Sequence, residues 1–99
     1  MDVSIISPVF NEKDNLEPFV KKVSDSLNQE TWKWELILVD DGSDDGSFDL
    51  LQKLSKSQKN LRIISLSKNF GQTSAIQAGF DNASGKYLVT LDSDLQNDP

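Results

Sequence analysis

The chain contains neither cysteine nor histidine. Without cysteine there is no disulfide framework and no thiolate zinc site, and without histidine the commonest general base and the commonest transition-metal ligand are both missing. Any metal bound here is therefore held by oxygen. Basic residues are also few, ten against sixteen acidic ones for a formal charge of −6, and they are scattered along the chain. That balance argues against nucleic acid or an anionic membrane surface as a direct partner of these residues. No apolar run approaches 18 residues and no basic segment precedes the first apolar stretch, so the sequence predicts neither membrane span nor signal peptide, and a cytoplasmic chain. What is present, 99 residues at 36% hydrophobic, builds one domain with a thin core.

Residues 3 to 10, VSIISPVF, read as a strand running into the polar Asn11, Glu12, Lys13 and Asp14. Leu16, Phe19, Val20, Val23 and Leu27 recur at helical spacing over about 14 to 28, with Asp14 and Glu17 as a capping box and Pro18 tolerated near the first turn. WELILV, 34 to 39, is the near-continuous apolar run of a strand covered on both faces. Phe48, Leu50, Leu51 and Leu54 predict a helix over 46 to 57, and LRIISL at 61 to 66 a third strand. After the turn SKNFG, Ala75, Ile76, Ala78, Phe80 and Ala83 mark a helix closed by Gly85 at its C′ position, and YLVTL at 87 to 91 is a fourth strand. This alternation predicts an α/β, Rossmann-like, mainly parallel sheet of about four strands with flanking helices and right-handed crossovers. Ligands of such sheets bind beyond the carboxyl ends of the strands. Polar clusters at 8 to 12, 40 to 45 and 92 to 96 stand at three such ends and converge if strands one, two and four are neighbours; the turn after strand three adds Lys68.

Five aspartates fall between positions 40 and 49 of LVDDGSDDGSFDLL. Aspartate and glycine are ordinary turn and cap residues, so a solvated turn is one reading. A calcium loop is another, since Asp41, Ser43, Asp45, Gly46, Phe48 and Asp49 match EF-hand positions, but Gln52 stands where the bidentate carboxylate belongs and a strand, not a helix, precedes the loop. A third reading is recognition of a nucleotide, with carboxylates accepting hydrogen bonds from ribose hydroxyls or a base N–H. LDSDLQ favours it, because residues two apart at a strand end project the same way, so Asp92 and Asp94 can reach one centre with the Gln96 amide oxygen. Such oxygens suit Mg²⁺ or Mn²⁺. An acidic pocket repels a diphosphate by about 4 kcal/mol per charge pair at 4 Å and an effective dielectric of 20, and a divalent cation reverses that sign. The layouts of haloacid-dehalogenase phosphatases and of response-regulator receivers, which place their acidic motifs after other strands, do not fit.

SPVFNEKDNL, LVDDGSDDGS, SKNFGQTSAIQAGFDNASG and VTLDSDLQNDP together resemble the N-terminal half of a family 2 glycosyltransferase of GT-A fold, over nearly the whole chain. NFGQT and DLQNDP are similar in particular to the polyprenyl-phosphate glycosyltransferases such as dolichyl-phosphate mannose synthase. The resemblance implies inverting transfer of a sugar from a nucleotide diphosphate donor, UDP- or GDP-linked, to a lipid phosphate. By matching positions it implies that Pro8, Phe10 and Glu12 line the base and ribose, that Asp40 and Asp41 hydrogen-bond the same moiety, and that Lys68 lies near the nucleotide. It implies Asp92 and Asp94 as metal and diphosphate carboxylates, Gln96 completing the coordination. The family's catalytic base and acceptor half lie beyond Pro99, so the chain reads as an incomplete GT-A domain, inactive alone, whose complete enzyme sits at the cytoplasmic face of a membrane. Its sheet is expected to leave an apolar edge uncovered and open to self-association. A non-catalytic nucleotide-binding module on the same fold is the alternative.

Overall fold

The computed structural model describes residues 1–92. Strands and helices alternate strictly: β1 (Val3–Val9), α1 (Lys13–Leu27), β2 (Trp34–Asp40), α2 (Ser47–Ser57), β3 (Leu61–Ser65), α3 (Gln72–Asn82) and β4 (Tyr87–Thr90). Every pairing is parallel and the spatial order is β3-β2-β1-β4. The α/β expectation therefore holds, and strands one, two and four are neighbours with β1 in the middle. β2 and β4 do not lie side by side, because the last crossover carries the chain past β2 and β1 to the far edge. Their tips flank that of β1 on one rim.

β2 is buried at every position because it is central and covered on both faces. Successive residues alternate between two cores. Ile5, Val9, Leu36 and Leu38 meet Leu16, Phe19 and Val20 of α1 and Leu51 of α2. On the opposite face Ile6, Ile37 and Val39 meet Ala75 of α3. That helix lies almost on the sheet, and Gly79 is why: a Cβ there would come 2.4 Å from Ile6 Cγ2. Among the described residues β4 has no such cover. Tyr87, Leu88 and Val89 are 71%, 46% and 42% exposed, so the apolar edge expected from the sequence is present. Among the described residues, no helix is long and apolar enough to cross a membrane.

Two local expectations fail for reasons of tertiary structure. The capping box of Asp14 and Glu17 does not form, since α1 begins one residue earlier with Glu12 at its N-cap and no side-chain cap of its own. Asp45 supplies the missing acceptor from 32 residues away, taking the Lys13 N–H at 3.2 Å. Pro18 accordingly falls in the second turn, where Asp14, whose carbonyl loses its helical partner, is exposed to water. Gly85 is not the left-handed C′ glycine of α3; the positive-φ glycines are Gly42, Gly46 and Gly71. Its smallness serves close approach, since a Cβ there would come 2.5 Å from Ser4 N.

Gly85 belongs to a buried polar cluster on the rim where the strands begin. Its N–H donates to Ser4 Oγ at 2.8 Å, and Ser4 Oγ donates to Glu35. Glu35, 3% exposed, also accepts the Ser84 N–H at 2.8 Å and Arg62 Nη1 at 3.0 Å. Arg62 in turn reaches the Asn82 carbonyl at 2.8 Å. Burial pushes the Glu35 carboxyl up, but Ser4, the Ser84 N–H and Arg62 outweigh it and hold it below the ordinary glutamate value. The cluster ties the α3–β4 connection to β1 and β2, and so fixes where β4 runs.

Candidate functional site

Even-numbered residues of β1 turn their backbone groups toward β4, as the Leu91 N–H to Ile6 carbonyl bond at 3.0 Å requires. Odd-numbered ones face β2, as in the bond from the Asp41 N–H to the Val9 carbonyl at 2.8 Å. The described pairing of β1 with β4 runs to Ile6 and Thr90, and Pro8, two residues on, has no N–H to donate toward β4. The strand order reverses here as well. From β1 the chain runs outward to β2 and β3 and then crosses back to set β4 on the other side of β1. Such a reversal, at the carboxyl ends, is where open α/β sheets bind ligands.

A hollow of about 330 Å³ occupies the spot, lined by Pro8, Val9, Phe10, Glu12, Asp41, Asn69, Gly71, Gln72 and Asp92. Of the residues picked out from the sequence it gathers Pro8, Phe10, Glu12, Asp41 and Asp92. Asp40 and Lys68 are not among its lining. Asp40 is 2% exposed and shares the sheet face of Leu36 and Leu38. Its Oδ1, like Ser7 Oγ, is buried with no hydrogen-bond partner. The Lys68 ammonium lies 5.3 Å from the centre of the Phe70 ring, a cation–π contact. Asp94 and Gln96 lie outside the described residues. Among those described, no three metal-binding side chains gather closely enough to hold an ion. A larger hollow, about 650 Å³ among Asp2, Val3, Thr31, Trp32, Lys86 and Tyr87, lies where the strands begin and collects no carboxylate pair.

The acidic loop holds the ends of three helices. Asp45 Oδ1 accepts the N–H and hydroxyl of Ser47, starting α2, while Oδ2 takes the Lys13 N–H of α1. Burial alone would raise the Asp45 carboxyl, but Ser47 and the Lys13 N–H hold it below the ordinary aspartate value. Asp41 accepts the Phe70 and Gly71 N–H groups at 2.8 and 3.0 Å, just ahead of α3. Asn11, with φ 52, completes the stapling: its N–H donates to Ser43 Oγ and its Oδ1 accepts the Asp44 N–H, both at 2.9 Å. Carboxylates at helix starts offset the positive end of the helix dipole. Of the five aspartates in the loop and its flanks, Asp41 and Asp45 are thus committed to backbone N–H groups.

Sequence reasoning did not single out Asn69, Gly71 or Gln72, which form a whole wall of the hollow. The signal available was the glycine directly before a helix in NFGQT. The wall forms only because Gly42, at φ 75, lets this turn come within bonding distance of the acidic loop.

The sequence profile of glycosyl transferase family 2 matches residues 4–99. The chain belongs to that family. Its relatives include the dodecaprenyl-phosphate galacturonate synthase of Rhizobium johnstonii, 44% identical over all of this chain and 30% of that protein. Another is the undecaprenyl-phosphate 4-deoxy-4-formamido-L-arabinose transferase of Proteus mirabilis, 45% identical over 98% of this chain and 30% of that one. The chain thus spans about 30% of the length of these family 2 relatives. In structure it is similar to TarS 1-349 of S. aureus, with TM-score 0.73 and 26% identity over 95% of this chain and 28% of TarS 1-349. The mannosyltransferase PcManGT of Pyrobaculum calidifontis, solved with GDP-Man and Mn²⁺, shares the fold at TM-score 0.74 and 22% identity, over 93% of this chain and 27% of that one. The four-stranded parallel sheet with its helices is similar to part of the GT-A glycosyltransferase structures.

Proposed function

We infer that this chain is the donor-binding part of a family 2 glycosyltransferase, and that the whole protein transfers a sugar from a nucleoside diphosphate to a polyprenyl phosphate with inversion. The observation that carries this is the meeting of Asp41 and Asp92, from the tips of β2 and β4, with Pro8, Phe10 and Glu12 in one hollow at the reversal of strand order. In support, the relatives from Rhizobium johnstonii and Proteus mirabilis are named for polyprenyl-phosphate chemistry. TarS 1-349 has been solved with UDP-GlcNAc.

In this reading Pro8, Phe10 and Glu12 flank the base and ribose, and Asp92 faces the diphosphate. A charge argument supports a metal. The lining holds Glu12, Asp41 and Asp92 but no lysine or arginine, and the helix starts that serve phosphate elsewhere already face Asp41 and Asp45. A diphosphate entering here lacks a counter-charge. Asp92, Asp94 and Gln96 offer the oxygen-only donors that Mg²⁺ or Mn²⁺ takes, in a chain with no softer ligand. Such an ion would supply neutralisation of charge on the departing nucleotide. In this reading the residues of this chain orient the donor.

Calorimetric titration with UDP and GDP, with and without Mn²⁺, tests the reading. One nucleotide is expected to bind about tenfold or more tightly with the metal, and Asp94→Ala to remove that gain. Binding that ignores both metal and Asp94→Ala would refute it.

A further inference from the structure

β4 is the shortest strand, and among the described residues it pairs with β1 alone, Tyr87–Thr90 against Val3–Ile6. Burial does not choose its register. All four of its residues are exposed, and Tyr87, Leu88 and Val89 follow one another without a polar alternation, so a slip by one residue would uncover no buried face. The choice is made at the start of the strand, by polar groups. The Gly85 N–H donates to Ser4 Oγ, Ser4 Oγ donates to Glu35, and Glu35 accepts the Ser84 N–H. A Cβ at position 85 would stand 2.5 Å from Ser4 N and 2.7 Å from Ser4 Oγ, so only glycine fits that seat. A slip in either direction would bring Ser84 or Lys86 into it, each with a Cβ, and would break the bonds to Ser4 and Glu35. Ser4 and Glu35 are buried, so groups unpaired there cannot turn to water. Fixing register is the best-attested use of buried polar groups.

We propose that Glu35 and Ser4 are positioning residues for the donor site: with Gly85 they lock the register of β4 on β1 at one rim of the sheet, and so place Asp92 at the other. The inference rests on the donor-site reading above. Beyond the four paired residues, the Leu91 N–H donates to the Ile6 carbonyl at 3.0 Å, and Asp92 follows directly, in the lining of the hollow. A slip of one residue would carry Asp92 about 3.3 Å along the strand and turn its side chain to the opposite face. Pro8, Phe10, Glu12 and Asp41 would stay, because they belong to β1, β2 and the turns that follow them. Loss of the lock therefore acts on Asp92 and spares the rest of the lining.

Titration of Ser4→Ala and Glu35→Ala with UDP and GDP, with and without Mn²⁺, separates this role from a loss of stability. The gain in nucleotide affinity that Mn²⁺ brings is expected to fall about tenfold in both variants, while binding without metal keeps its wild-type strength. Leu54→Ala, which loosens the core between α1, α2 and the sheet, is the control and is expected to keep the gain. Amide hydrogen exchange on the nucleotide-free chain supplies the second arm. Leu91 is expected to exchange about tenfold faster in Ser4→Ala and Glu35→Ala than in Leu54→Ala. A full metal gain in both lock variants, an equal loss with and without metal, or Leu91 exchange no faster than in the control overturns the proposal. If the wild-type chain shows no metal gain, the donor-site reading falls, and exchange at Leu91 alone decides whether Glu35 and Ser4 set the end of β4. Should Glu35→Ala fail to fold, Ser4→Ala carries both arms.

Discussion

Gly42→Ala is expected to destabilise the chain by about 2–4 kcal/mol, combining left-handed backbone strain with a steric clash in a packed turn. At φ 75 an alanine Cβ would stand 2.4 Å from both Asn69 N and Lys68 C. Both are backbone atoms, and the segment that carries them is held by Asp41, so neither can withdraw without giving up those bonds. Gly46 provides the control. It too has positive φ, 92, but a Cβ there meets only the flexible Lys13 side chain at 3.5 Å, so Gly46→Ala is expected to cost about 1 kcal/mol. Urea unfolding of the two variants measures the difference. Equal costs would mean that the turn after β3 does not need its seat against the acidic loop.

Glu35→Ala is expected to cost about 2–4 kcal/mol, because it leaves the Ser84 N–H, Ser4 Oγ and one guanidinium contact without an acceptor in the interior. Arg62, half-exposed at 43%, regains water, which keeps the loss below that of a fully buried pair. Acid should act the same way as the mutation. The carboxyl is held below its ordinary value of 4.5, so the stability it adds is complete above that value. It is lost as pH falls through the lower folded-state value. Asp45 shifts in the same direction, and the two losses add. Urea midpoints followed from neutral pH into the acid range should therefore fall more steeply for wild type than for Glu35→Ala; parallel curves would show that the cluster adds nothing.

The elements were legible wherever apolar spacing alone settles them. VSIISPVF and WELILV announce strands because β-branched and aliphatic runs fit a sheet covered on both faces, and Leu16, Phe19, Val20 and Val23 announce α1 because one stripe must meet that sheet. What could not be read is what depends on a partner distant in sequence. Lys13 begins α1 because Asp45 accepts its N–H, and no window around residue 13 contains that aspartate. Gly85 looks like a helix terminator until Ser4 comes to lie against it. The site shows the same division: the acidic tips were visible in LVDD and LDSD, whereas the wall of Asn69, Gly71 and Gln72 required the turn after β3 to be seated on Gly42.

The staples from Asn11 to Ser43 and Asp44, from Lys13 to Asp45 and from residues 69–71 to Asp41 join positions 28 to 33 apart in the chain. Contacts of such sequence separation close large loops, and that entropy is met before the bonds repay it. The strand pairing of the first β-α-β unit spans the same separation, and the staples, at the loop end of that pairing, are expected to close only once it has formed. Weakening them should accelerate unfolding far more than it slows folding, so that the rim at the carboxyl ends of the strands governs how long the native state survives once formed.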